Sequence, residues 1–153
     1  MVNSVRAMQQ AGNRSTSLLL VLILLVGAAL RLYALAGPEL QWDEFLALHR
    51  ASMSLPHLVA SLNTQAASDV ALDTSPPLHH IFIHFFRLLG DNDTLVRLPG
   101  ALFGILSLLM IFLVSRQFFN ERAALYSTLY CALLQFHINY SRFMRWYAFF
   151  YFF

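Results

Sequence analysis

Lysine is absent from this chain, cysteine occurs once, and only 12% of the 153 residues are charged. Each shortage excludes something. Soluble domains carry roughly twice that charge fraction, so most of this chain is solvated by lipid. A net charge of +2, dispersed along the sequence, is too small to suggest a nucleic-acid partner. Cys131 stands alone in an apolar run, so no disulfide forms within the chain and the redox compartment stays open. All basic side chains are Arg, whose planar fork suits bidentate phosphate contact better than Lys does, although a GC-rich genome gives the same bias. There is no phosphate-cradling glycine loop, nucleophile elbow or cysteine pair, so a soluble nucleotide or hydrolase site is not indicated. Repeats and low-complexity tracts are also missing.

What the chain does contain is hydrophobic sequence, 58% of its residues. Residues 1–17 are polar, with Arg6 and Arg14 and no acid. Residues 18–36 form an apolar run of roughly 19 residues, enough to cross a bilayer core. A signal peptide has a similar core, but the hydrophobic segments that follow favour a retained anchor. Residues 37–96 are polar and hold seven acids against two bases, Arg50 and Arg87. That balance fits an external loop, with the basic N-terminus cytoplasmic. Two helices are expected in this loop, at about 44–62 and 77–89. In the first, Leu55, Leu58, Val59 and Leu62 recur at helical spacing after a Ser54 cap, and a polar connector follows from Asn63. The second follows Pro76-Pro77 and is about 18 Å long, too short to span. Its stripe of His80, His84 and Arg87 suits the membrane surface. A second span is expected over 97–115, a cytoplasmic turn over 116–122 with Arg116 and Arg122, and a third span over 123–141. Residues 142–153 read as the start of a further hydrophobic helix that is cut off, as in the N-terminal part of a longer protein. Gly100 and Gly104 give the spacing of close helix packing.

The candidate chemistry gathers at the external ends of these spans. Asp43-Glu44 follows the first span by a few residues, where a carboxylate can meet a lipid-borne donor. Spacing alone favours a helix cap or first-turn acid for a segment starting at Phe45. Arg142 and Arg145, three residues apart, share a helix face outside the membrane, against the positive-inside tendency. They fit a lipid phosphate or ordinary snorkelling to headgroups equally well. Arg97 stands at the mouth of the second span. If these arginines converge, they form a cationic site level with Asp43 and Glu44. His80 and His84 have metal-ligand spacing without a recognised zinc motif, so a polar stripe is preferred and no metal site is assigned.

Several short motifs also occur in order: the acidic pair, Ser75-Pro76-Pro77-Leu78, Leu89-Gly90, Arg97-Leu98-Pro99-Gly100-Ala101-Leu102-Phe103-Gly104, Arg116-Gln117-Phe118-Phe119, and Tyr140-Ser141-Arg142-x-x-Arg145-x-Tyr147-Ala148. From about Leu24 onward this order resembles the protein O-mannosyltransferase superfamily, with its bacterial family-39 glycosyltransferases and lipid A aminoarabinose transferases. The resemblance implies an all-α, multispanning GT-C fold with interfacial helices in a long first external loop. It implies an inverting transfer from a polyprenyl-phosphate-linked sugar to an acceptor glycan, lipid or protein, in a plasma membrane such as the bacterial inner membrane. On this reading Asp43 is the catalytic acid's counterpart, with Glu44 beside it. Arg97, Arg142 and Arg145 face the carrier phosphate, and Tyr140, Tyr147, His79 and His80 contact substrate. No cofactor is assigned, and assistance by a divalent cation stays open. Ser75 departs from the family, where His often precedes the Pro-Pro, and His79 and His80 stand where aromatic residues are common. The competing class is a non-catalytic membrane subunit or scaffold that binds polyprenyl lipid, or partner helices through its Gly100/Gly104 face.

Overall fold

The computed structural model describes residues 2–37, 39, 41–63, 77–90, 92–143, 146 and 147. Among these residues all regular structure is helical: α1 (Val2–Leu32), α2 (Trp42–Ala51), α3 (Leu55–Asn63), α4 (Pro77–Arg87), α5 (Asp93–Phe118), α6 (Glu121–Leu133) and α7 (Gln135–Arg142). Helices α1, α5, α6 and α7 pack together as a bundle, and α4 packs on α5 while also contacting α2 and α3. Among the described residues two helices are long and apolar enough to cross a membrane, at Ser15–Leu32 and Asp93–Phe118. Leu18, Leu19, Leu22 and Leu25 are exposed along α1, as Leu102, Leu106 and Leu113 are along α5, an apolar surface suited to lipid.

Local sequence explains most helix ends. The Asn92 side chain accepts from the Leu95 N–H (3.1 Å) and Asn120 accepts from Ala123 N–H (2.9 Å), capping α5 and α6. Asp93 and Glu121 add acids in the first turns, where the helix dipole favours them. Helix α1 ends four residues before the limit expected for the first span. Ala34 turns into the left-handed region (φ 46°), and the Gly37 N–H closes the turn onto the Ala34 carbonyl at 2.9 Å. The loop helix expected over 44–62 is two helices, separated after Ala51. The expected single helix over 123–141 is likewise two, because Leu134 adopts an extended conformation (φ −66°, ψ 113°). The polar stripe of α4 turns inward: His80 is buried, and His84 Nδ1 donates to the Ala51 carbonyl at 2.9 Å. Burial of Ile83 against Ala47, Ala51 and Val96 fixes that orientation. The polar connector expected from Asn63 begins one residue later, since Asn63 ends α3. The rest of that connector, Thr64 to Ser75, and most of the further helix expected from 142 lie outside the described residues.

The Gly100/Gly104 face is occupied by α7. A Cβ on Gly104 would overlap the Ser141 side chain, and one on Gly100 would meet the Ser141 and Phe143 carbonyl oxygens at 3.1 and 3.0 Å. Gly104→Ala is therefore expected to lower stability by about 1–3 kcal/mol through overpacking. Thermal unfolding in detergent measures this, and Gly104→Ala/Ser141→Gly is expected to recover part of the loss. An unchanged midpoint for Gly104→Ala would refute the contact.

Candidate functional site

The start of α5, the end of α7 and the α1–α2 connection meet at one end of the molecule, where Arg97 provides the junction. Its Nε donates to Glu44 Oε1 (3.1 Å) and its Nη2 to Glu44 Oε2 (2.8 Å), with both side chains 1% exposed. The same guanidinium donates from Nη1 to the Leu35 carbonyl (3.0 Å) and from Nη2 to the Glu39 carbonyl (3.4 Å). Glu44 Oε2 also accepts the Gln41 backbone N–H at 3.2 Å, which ties off the first turn of α2. One forked ion pair thus fixes α5 to both ends of the connection.

That pairing sorts the two acids. Successive helix residues point about 100° apart, so with Glu44 turned into the protein Asp43 is turned out, and it is exposed. Asp43 is the second residue of α2, and the chain enters the helix through Gln41. Helix α2 therefore begins earlier than Phe45, and Asp43 is a first-turn acid beside the positive end of the helix dipole. Arg142 reaches the same connection from α7: its Nη2 donates to the Ala34 carbonyl at 2.7 Å. Arg97 and Arg142 thus bind the carbonyls of adjacent residues. Arg97 has its donors turned to protein acceptors, whereas half-buried Arg142 holds the rim.

A second buried arginine, not singled out in the sequence, lies beneath this rim. Arg31, in the last turn of α1, is 0% exposed. Its Nη1 donates to the Gly27 carbonyl (2.8 Å) and the Ala132 carbonyl (3.4 Å), and its Nη2 to the Cys131 carbonyl (3.3 Å). Cys131 and Ala132 end α6, where the break at Leu134 leaves carbonyls without helical partners, and a cation there also meets the negative end of the dipole. Arg31 Nη2 further contacts His137 Nδ1 at 2.9 Å. Arginine can only donate, so Nδ1 accepts and the ring proton sits on Nε2. Nε2 then donates to Ser107 Oγ (3.2 Å), whose own proton goes to the Gly104 carbonyl (2.9 Å). This relay runs from α1 through α7 to α5. The signal available in the sequence was a charge inside an apolar run.

The remaining candidates fall in two places. His79 and His80 are buried in α4, their rings edge to face at 5.4 Å. Tyr140 and Tyr147 meet edge to face at 4.9 Å, and Phe136 packs on Tyr140 at 4.3 Å, forming an aromatic surface next to Arg142. Arg145 lies outside the described residues. Among the described residues no three His, Cys, Asp or Glu side chains group as metal ligands.

No curated protein and no solved structure matches the chain. The dolichyl-phosphate-mannose-protein mannosyltransferase family matches residues 74–153, just over half of it. The match takes in α4 to α7 with Arg97, Tyr140, Arg142 and Tyr147, and Arg97 binds Glu44 outside the matched segment. The chain belongs to that family, the dolichyl-phosphate-mannose-protein mannosyltransferases, which are membrane glycosyltransferases of the GT-C type.

Proposed function

We propose that this protein transfers a sugar from a polyprenyl-phosphate carrier to an acceptor hydroxyl on the periplasmic or lumenal face, with inversion and with Asp43 as general base. The acceptor oxygen attacks the anomeric carbon as the bond from that carbon to the phosphate oxygen breaks. Asp43 takes the acceptor's proton and the electron pair leaves with the lipid phosphate. The observation that carries the reading is the outward presentation of Asp43 by the buried Glu44–Arg97 pair, on a rim that Arg142 shares. Arg142 and Arg145 face the departing phosphate, with Tyr140 and Tyr147 lining the sugar's approach. Arg97 acts by holding Glu44, and Glu44 by aiming α2.

The topology proposed with it puts the N-terminus and the Arg116/Arg122 turn in the cytoplasm, as the positive-inside rule favours. α6 alone is about 20 Å long, so α6 and α7 together make the third crossing.

The test is a donor screen on membranes bearing the full-length protein, using polyprenyl-phosphate-linked mannose, glucose and aminoarabinose. One donor is expected to yield a product of inverted anomeric configuration. A retained configuration would overturn the single-displacement mechanism, and the lack of transfer from every lipid-linked donor would overturn the donor class.

A further inference from the structure

At the end of the bundle opposite Asp43, about 25 Å away along α1 by helical rise, two cavities adjoin at Arg122. One, of about 540 Å³, is polar and lined by Ser15, Thr16, Asn120, Glu121 and Arg122. The other, of about 330 Å³, is an apolar groove between α1 and α6, lined by Leu19, Ile23, Leu125, Tyr126 and Leu129 with Arg122 at its mouth. A polar chamber joined to an apolar groove has the shape of an amphiphile's site.

The charges define the headgroup. Glu121 Oε1 lies 3.5 Å from Arg116 Nη2, and Glu121 Oε2 accepts from Thr16 Oγ1 at 3.2 Å. The single acid of the chamber is thereby offset by Arg116. Arg122 is exposed, and among the described residues no hydrogen bond or ion pair engages it. The chamber thus carries one positive charge in excess, with the Ser15 and Thr16 hydroxyls and the Asn120 amide on its walls. An arginine fork is suited to a phosphate that lacks a compensating ammonium.

We propose that this paired cavity holds an anionic glycerophospholipid of the leaflet opposite the transfer site, its phosphate on Arg122 and one acyl chain between Leu19/Ile23 and Leu125/Leu129. The lipid buttresses the contact of α1 with α6, the same pair of helices that Arg31 joins at the other end.

The test reconstitutes the full-length protein in nanodiscs of equal phosphatidylglycerol and phosphatidylcholine and weighs the co-released lipid by native mass spectrometry. Wild type is expected to retain phosphatidylglycerol about tenfold over phosphatidylcholine, a single charge-assisted contact's effect. Arg122→Gln is expected to bring that ratio to near unity, and Ile23→Trp, which fills the groove, to reduce retention of both lipids. Equal retention by wild type would overturn the proposal, as would an unchanged ratio in Arg122→Gln. A photo-crosslinker at Leu129 is expected to label lipid, and labelling only protein would assign the groove to another segment instead. The readout involves no sugar transfer, so it fails or stands separately from the reaction above.

Discussion

Glu44→Ala is expected to destabilise the protein by about 3–5 kcal/mol, the cost of leaving one partner of a buried ion pair uncompensated. Arg97 would remain 1% exposed without its carboxylate, and the first turn of α2 would lose the carboxylate that binds the Gln41 N–H. At the usual scaling for a domain of this size, the unfolding midpoint falls by about 10 °C. Differential scanning fluorimetry in detergent measures it. Glu44→Leu/Arg97→Met removes both charges and replaces them with packing, so its midpoint is expected to return close to wild type. Its transfer activity is not expected to return, because nothing then aims Asp43. A double variant with wild-type activity would show that the ion pair stabilises α2 without positioning the base, and an unshifted midpoint in Glu44→Ala would refute the pair itself.

This coupling explains which parts of the molecule were legible in the sequence. Helices α1 and α5 announce themselves as long apolar runs, and the family's motifs mark α4, α5 and α7 in order. The convergence of Arg97 and Arg142 on one level followed from topology, because both were placed at external helix mouths. What the sequence concealed is what long-range contacts determine. Asp43 and Glu44 are adjacent in the chain and chemically alike, and only a partner 53 residues away decides which one turns inward. The break between α6 and α7 has no local cause either, since no Gly or Pro stands near Leu134. Its exposed carbonyls are tolerated because Arg31, 100 residues upstream, supplies the donors. The stripe on α4 faces inward rather than outward for a related reason. Periodicity shows that His80, His84 and Arg87 share a face, but whether that face meets water or α2 depends on Ala47 and Ala51, whose small side chains let α4 approach.

Asp43→Asn is expected to lower the rate of sugar transfer by about 10²–10⁴-fold, the usual contribution of a general base. The amide keeps the size of the carboxylate and its ability to accept a hydrogen bond, but it cannot take the acceptor's proton. Because Asp43 is exposed while Glu44 carries the buried contact to Arg97, the substitution leaves the Glu44–Arg97 pair and the packing of α2 intact. The unfolding midpoint is therefore expected to stay within about 1 °C of wild type, as for a near-isosteric change at an exposed position. Binding of the lipid-phosphate donor is expected to be unchanged as well, since the cations proposed to face the phosphate are untouched. Arg142→Ala should give the complementary result, weakening donor binding while Asp43 remains in place, though it also frees the Ala34 carbonyl. The loss in Asp43→Asn should appear in kcat, because a proton acceptor contributes chiefly in the transition state. Asp43→Glu, which restores a carboxylate about one bond length farther out, is expected to recover part of the rate. Initial rates with purified donor and acceptor, measured beside the unfolding midpoints, separate these cases. Wild-type turnover by Asp43→Asn would end the assignment of the base.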